Sequence, residues 1–476
     1  MRRASYMSIF NFDEQRAVFL ALILIITSAL ATSAFGAANN LRDGIWKSRG
    51  YGYLLQVEGD QLAVYDITAN SCIKNEAVTF GFSAMRNALH DPFGSADDQL
   101  RIRLPFEHQI FHFDLLPAMP SACSKNMASD PLTTFDVFAE YFEEHYAFFD
   151  LYDVSWPTRV AKFRELVSPK TSEAELFKLL AELVAPLRDG HISIAAEFDG
   201  EEHAFEAYPG EVALQVVEYA EKNGDNPDAA FMGFVREYWL SGVHQEILGG
   251  KGEMLGNGYI QYGIVDEIGY VSVLAMGGFA GKDEFHEQED LDVLTSALDD
   301  MLSRFEDQKV EAVVVDLSIN FGGYDFIGRE LARRFADAEY FAYSLRVGDK
   351  VGALDQPVAI TPYDGLRHTG PVVLVTSSQT VSAAEISTMA FRALPNVQHV
   401  GMPTAGALST TLNKQLPNGW NITLSNEIYT DHEGKLWESK GIPPHVELDI
   451  FGGDDLLKSH PNAIRELINL IKNGNI

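Results

Sequence analysis

Pro371-Val372-Val373-Leu374-Val375-Thr376 is followed, after a short linker, by Ser382-Ala383-Ala384-Glu385. The first six residues are uncharged and rich in β-branched side chains, which predicts a strand buried on both faces. From Ser382 onward Ile386, Met389, Ala390 and Leu394 recur near one face of a helix. Ser382 therefore stands where a strand hands over to a helix. A hydroxyl there meets free backbone N–H groups and the positive end of the helix dipole. That geometry suits a nucleophilic serine and the anion it generates. The same four residues also spell a capping box, in which a serine does nothing but cap. The surrounding sequence has to separate the two readings.

Upstream, Val310 to Leu317 reads as another buried strand. It runs into Asp316-Leu317-Ser318-Ile319-Asn320-Phe321-Gly322-Gly323, and a helix is expected from Tyr324 to Ala336. Paired glycines between a strand and a helix let the backbone approach a ligand closely and present N–H groups to an anion. An ordinary tight turn would use them too. No Gly-Lys-Ser/Thr follows, so this is not a phosphate loop. Tyr270-Val271-Ser272-Val273-Leu274 supplies a further strand, and Leu291, Leu294, Leu298, Leu302 and Phe305 line a helix, giving this part an α/β rhythm. Downstream come Gly401-Met402-Pro403-Thr404-Ala405-Gly406, a hairpin signal at Asn418-Gly419, and Trp437-Glu438-Ser439-Lys440-Gly441-Ile442-Pro443-Pro444. An amphipathic helix from about Pro461 to Ile471 closes the chain.

Before the α/β part, residues 200–262 are expected to hold loops around one helix near 228–240. Earlier still, Ser172 to Leu187 reads as a helix with Leu176, Leu179, Leu180, Leu183, Val184 and Leu187 on one face. It stops at Arg188-Asp189-Gly190-His191, with Gly190 as the natural terminator. His191 then sits on a helix-to-strand corner, where an imidazole is either structural or projects into a cleft. The aromatic stripe Phe135, Phe138, Phe142 and Phe149 reads as helical core. Residues 43 to about 125 have period-two stretches such as Leu62-Ala63-Val64-Tyr65 and Ile110-Phe111-His112-Phe113, a small β-rich module.

The chain has 476 residues, too many for one ordinary core, and 46% of them are hydrophobic. Acidic residues outnumber basic ones 68 to 36, a formal charge of −32. Nucleic acid and anionic membrane surfaces would repel such a chain, so nucleic acid is not expected as a partner. Arg2, Arg3 and Arg16 precede an apolar run from Ala17 to Ala31, and Ala34-Phe35-Gly36-Ala37 follows, in the order of a secretory signal peptide. The run is shorter than the roughly 20 residues that span a bilayer. Cleavage near Ala37 is the expectation and an uncleaved anchor the alternative, with no integral span once the signal is removed. Periplasmic or secreted localisation follows. The two cysteines, Cys72 and Cys123, would meet an oxidising compartment as one disulfide. Neither has the companion ligands of a zinc site, and no metal is expected.

Taken together, Leu187 to His191, residues 316–323, 382–385, 401–406 and 438–444 are similar, in order and spacing, to the motifs of the C-terminal processing and tricorn-core serine peptidases, the tail-specific protease superfamily that also includes the interphotoreceptor retinoid-binding modules. The resemblance runs from about 133 to 450. It implies an α/β fold with a ClpP/crotonase-like β/α spiral core, a helical cap and the N-terminal β-rich module. The implied organisation is a signal peptide at 1–36, the β-rich module at 37–128, the cap at 129–200, a connecting region at 201–262, a peptidase core at 263–452 and a C-terminal helix at 453–476. It also implies a peptide or protein substrate and no cofactor, and it leaves oligomerisation open.

The serine–lysine design of that family has a lysine where this chain has Ala407, and Lys414, seven residues on, does not fit. The serine–histidine–acid design matches instead, with Ser382 as nucleophile, His191 as base and Glu438 as the acid. Gly323 and Ala383 are the expected oxyanion donors, with Gly322 beside them in the substrate-binding set. An activity falling through a histidine-like pKa, roughly 6 to 7, would follow. Ser318 replaces the family's loop arginine, His445 replaces an aspartate, and no peptide-tail-binding module precedes the core. The alternative is a hydrophobic-ligand or peptide-binding module on the same fold without hydrolysis. An acyl-CoA enzyme of the crotonase type stands further off.

Overall fold

The structure is a computed structural model. It describes residues 41–79, 96–104, 106–125, 127–281, 286–348, 354–452 and 455–476. The expected signal segment and cleavage zone lie outside the described residues. The chain divides into two compact units. The first holds residues up to Tyr208 with Leu345–Gln356 and Ser409–Ile428, and the second holds Pro209–Ser344, Pro357–Leu408 and Tyr429–Ile476.

In the first unit the β-rich stretch forms a six-stranded antiparallel sheet. Its strands are ordered Cys72–Lys74, Gln61–Ile67, Tyr53–Glu58, Gly44–Ser48, Ile110–Leu116 and Gln99–Arg103. Alternation works as the period-two pattern requires, burying Trp46, Leu55, Val57, Val64, Leu100 and Ile102. Cys72 and Cys123 are disulfide-bonded, with Cα atoms 4.8 Å apart. Three helices follow, Pro131–His145, Trp156–Arg164 and Glu173–Val184. Phe135, Phe138 and Phe142 of the aromatic stripe are fully buried helical core, whereas Phe149 lies beyond the helix in a short turn and is half-buried. Ser172 and Glu175 make a reciprocal capping box at the start of the third helix. A second, four-stranded sheet orders Thr411–Gln415, Asn421–Ser425, Ser193–Phe198 and Glu201–Glu206.

The second unit is built on a seven-stranded sheet. Val446–Glu447, Val397–Gly401, Val372–Thr376, Val313–Asp316 and Ile268–Val273 run parallel, and Ile260–Val265 and Glu253–Leu255 extend it antiparallel. The valine-rich strands read from the sequence are buried on both faces, because helices pack against this sheet. The helices Glu287–Gln308, Asp325–Arg333, Ala383–Arg392 and Leu456–Lys472 belong to this unit. The last one starts a turn before the expected Pro461, capped by Asp455. It buries Ile464, Leu467 and Ile468 in one cluster with Val314, Val373 and Val400. Residues 200–262 hold more helix than their glycines suggested: Glu211–Asn223 ends on Gly224 in the left-handed region, and Pro227–Glu237 runs into a wider helical stretch at Tyr238–Ile247. Among the described residues no helix is long and apolar enough to cross a membrane.

Lys414 has a structural explanation in the first unit. It is fully buried and lies 2.8 Å from the equally buried Asp66. It also donates to the Gly52 carbonyl at 3.1 Å and sits over the Tyr53 ring at 3.7 Å. Removing the cation would strand the Asp66 charge in the core. Lys414→Met is therefore expected to destabilise the protein by about 3–5 kcal/mol in urea unfolding. A loss well under 1 kcal/mol would mean that Asp66 is not held by this pair.

Candidate active site

Local register brings the Ser382 turn and the glycine loop together. Beyond the ends of Val313–Asp316 and Val372–Thr376, a two-residue parallel ladder forms, pairing Ile319 with Gln379 and Asn320 with Thr380. The ladder continues as Val381 N–H donates to the Asn320 carbonyl at 3.1 Å. Two residues further, Gly322 must come beside Ser382. A Cβ built on Gly322 would stand 2.7 Å from Ser382 Cβ, 2.8 Å from the Val381 carbonyl oxygen and 3.1 Å from Ala383 N. Only glycine fits, and its φ of 78° is the conformation that glycine tolerates.

The Gly322 N–H donates to Asn320 Oδ1 at 2.9 Å, and its carbonyl accepts from Met276 N–H at 2.7 Å. Both backbone groups of Gly322 are thus spent on shaping the loop. The N–H groups of Gly323 and Ala383 have no acceptor among the described residues, and each adjoins that close contact.

Ser382 has φ 59° and ψ −124°, a conformation that L-residues avoid. The Glu385 N–H donates to the Ser382 carbonyl at 2.8 Å, and Ser382 and Glu385 form a capping box in which Ser382 N–H donates to Glu385 Oε2 at 3.3 Å. Ser382 thus combines a cap with a backbone conformation that an ordinary N-cap, in the extended region, does not adopt.

Glu385, read from sequence only as a capping partner, turns out to be a buried hub. Its carboxylate accepts from Thr404 Oγ1 at 2.6 Å and from Gly406 N–H and Ala407 N–H at 2.8 Å each. Thr404 Oγ1 in turn accepts from Ile442 N–H at 2.7 Å, and Ser439 N–H donates to the Gly406 carbonyl at 2.7 Å. The segments 401–406 and 438–444 are thereby fastened to the Ser382 turn. Glu438 itself is buried and accepts from Leu408 N–H at 3.1 Å. Ala407, in the place of the family lysine, receives Ser382 N–H on its carbonyl at 3.0 Å. His445 stands at the end of the same segment, where its Nδ1 accepts from His399 N–H at 3.2 Å.

His191 belongs to the first unit. Its corner is tied by Asp189, whose Oδ1 accepts from His191 N–H at 2.8 Å and whose Oδ2 accepts from the Tyr146 hydroxyl at 2.9 Å. Arg188, not Gly190, takes the left-handed conformation that ends the helical stretch, at φ 46°. His191 is buried, and Nδ1 has no hydrogen-bond partner among the described residues. Burial lowers its pKa, against a smaller opposite effect of Asp189. No cluster of metal-ligating side chains occurs among the described residues.

Residues 267–448 match the model of peptidase family S41. Over those residues the chain is similar to that family. Its fold is similar to a crystal structure of a candidate peptidase from Parabacteroides merdae ATCC 43184, at 23% identity and TM-score 0.56, covering 72% of this chain and 97% of that one. It is also similar to mature CPAF, at 11% identity and TM-score 0.50, covering 72% and 98% of the two chains. An uncharacterized protein of Chlamydia muridarum (strain MoPn / Nigg) is 25% identical over 115 residues, 24% of this chain. That match spans only 19% of the Chlamydia protein's length.

Two expectations follow from the local geometry. Gly322→Ala forces a Cβ into the Ser382 turn at positive φ, and should cut reaction of Ser382 with a fluorophosphonate by about tenfold or more, since 1.4 kcal/mol of strain already amounts to tenfold. Gly419→Ala, at φ 89° with open space around it, is the control for backbone strain alone. Equal labelling in both variants would sink the close-approach argument.

Burial raises the Glu385 carboxyl to about 7, although its four donors pull the other way. A folded-state pKa above the unfolded value means stability is fully present below the unfolded pKa and is lost as pH rises toward 7. The loss amounts to roughly 3 kcal/mol at 1.36 kcal/mol per unit. Wild-type minus Glu385→Gln stability should therefore fall between pH 4.5 and 7 in chemical denaturation, and a flat difference would refute the assignment.

Proposed function

We propose that this chain is a serine-type peptidase, an endopeptidase or oligopeptidase that cleaves peptide bonds by covalent catalysis. Ser382 Oγ attacks the carbonyl carbon while His191 takes its proton. The C–N bond then breaks as His191 delivers that proton to the leaving amine, and water reverses the sequence to free the acid. Glu438 fixes the imidazole tautomer and supports its charge. Gly323 and Ala383 N–H groups receive the oxyanion. The observation that carries the reading is the strained Ser382, at φ 59°, which lies beside two N–H groups without acceptors among the described residues. A parallel sheet with a short second ladder beyond its strand ends supports a ClpP/crotonase-like spiral for this unit. The Cys72–Cys123 disulfide supports export to an oxidising compartment, periplasmic or secreted.

Ser382→Ala should abolish fluorophosphonate labelling and turnover while changing stability by no more than about 0.5 kcal/mol. His191→Ala should do nearly as much damage, Glu438→Gln less, and the triple variant scarcely more than Ser382→Ala alone. Wild-type turnover by Ser382→Ala in a protease-free preparation would refute Ser382 as the nucleophile, whereas neither labelling nor turnover by the unchanged protein would leave the binding-module reading in its place.

The pH profile is a separate test. The base is neutral His191, so activity is lost as pH falls through its pKa. Burial sets that pKa lower than an ordinary imidazole, and the acid limb of kcat/KM should lie below 6.5. A limb above 7 would exclude His191 as the base.

A further inference from the structure

The glycine loop begins at a buried charge whose partner comes from the far end of the sequence. Asp316 is fully buried at the end of strand Val313–Asp316. Its Oδ1 accepts from Ser318 N–H at 2.8 Å, which sets the first turn of the loop. Its Oδ2 accepts from the Tyr270 hydroxyl at 2.5 Å and lies 2.8 Å from His460 Nε2, on the C-terminal helix. Burial alone would push the Asp316 carboxyl up, but His460, Ser318 and Tyr270 outweigh it and hold it below the ordinary range. An ionised carboxylate only accepts, so Nε2 carries the imidazole proton. His460 Nδ1 is buried without a partner among the described residues.

We propose that His460 is a positioning residue for the oxyanion loop: acting through Asp316, it fixes the direction in which the Gly323 N–H is presented. The loop carries no cation of its own. Ser318 stands where the resembled family has arginine, and its buried Oγ has no partner among the described residues. Other contacts also hold the start of the loop, without reaching the Asp316 carboxylate: Leu317 N–H donates to the Val375 carbonyl at 2.9 Å, Thr380 Oγ1 to the Leu317 carbonyl at 2.6 Å and Ser377 Oγ to the Ser318 carbonyl.

His460 is placed to brace rigidly. Its ring lies 4.6 Å from the Tyr238 ring and stacks on Phe451 at 5.8 Å. The helix behind it is locked by Ile464, Leu467 and Ile468 in the core. From Asp316 the chain reaches Gly322 through Asn320, whose side chain donates to the Val273 carbonyl and accepts from Gly322 N–H, both at 2.9 Å. Freeing Asp316 would let this connected backbone tilt, and an oxyanion donor loses its value when its aim changes.

The inference rests on the peptidase reading, and the experiment separates the two. The purified full-length protein, its active sites counted with a fluorophosphonate, is assayed for kcat, KM and inhibition by a peptide boronic acid that forms a tetrahedral adduct. His460→Leu keeps apolar volume and removes the donor. It should lower kcat per titrated site by about tenfold or more with KM within about twofold, and weaken the boronate in parallel. His460→Gln, whose amide still donates, should recover most of both.

A purely structural role predicts a lower melting temperature with kcat per site and boronate affinity unchanged, and that result overturns the proposal. Should His460→Leu not fold, Tyr270→Phe loosens the same carboxylate from the other side, and wild-type kcat and boronate affinity there overturn it as well. Failure of Ser382 to label at all, or full turnover by Ser382→Ala, would instead remove the peptidase reading.

Discussion

The parallel pairing of Ile319–Asn320 with Gln379–Thr380 is the constraint on which the rest of the site depends. Two adjacent parallel strands end together in the sheet, and their continuations pair for two more residues before each turns into a helix. The offset within that ladder is fixed, so the residue two places on in one strand meets the residue two places on in the other. A slip by one would bring Phe321 against Ser382, and no side chain fits there. Gly322 and the strained backbone of Ser382 are two sides of the same close approach. The cost of holding Ser382 at φ 59° is met by the ladder and by the contacts of its neighbours.

Polar burial around this ladder follows one logic. Asn320, Glu385, Asp316 and Thr404 are all buried, and each is engaged with backbone N–H groups of a loop. Loops carry unsatisfied backbone donors, and in a packed interior these must find acceptors. Side-chain carboxylates and amides supply them, at a desolvation penalty that appears in the raised Glu385 carboxyl. Irregular backbone can therefore be held near Ser382 without water.

What the sequence made legible was whatever rests on periodicity or turn chemistry. The valine runs at 313–316 and 372–376, the aromatic core helix, and the strand-to-helix position of Ser382 all depend on side-chain pattern within a few residues. What stayed hidden depends on long-range partners. Glu385 has the same local context as any capping glutamate, and nothing nearby in sequence announces Thr404 or Ala407 as its donors. His460 lies 144 residues from Asp316. Lys414 could be excluded as a general base by its spacing, but its pairing with Asp66 crosses 348 residues. The helix Glu211–Asn223 was obscured because its surface side is acidic and its buried set, Val212, Ala213, Val217 and Ala220, is small. Arg188 was missed as a terminator because left-handed conformation is read from glycine, and here Asp189 and Tyr146 hold the corner instead.

Glu385 and Glu438 are the buried glutamates on the segments around Ser382, and the hydrogen-bond geometry bears on which of them can support an imidazole. Glu385 is nearer in sequence to Ser382, and its pKa is shifted, which on its own would make it the more conspicuous candidate. Yet Oε1 already accepts from Thr404 and Gly406, and Oε2 from Ala407 and Ser382. Both oxygens are filled by donors, as far as two lone pairs each allow. An imidazole N–H could bind there only by displacing a bond that holds the Ser382 turn in place. The raised pKa of Glu385 is thus the signature of a structural carboxylate under burial. The proposal gives the acid role to Glu438, on the segment that Glu385 itself fastens through Thr404.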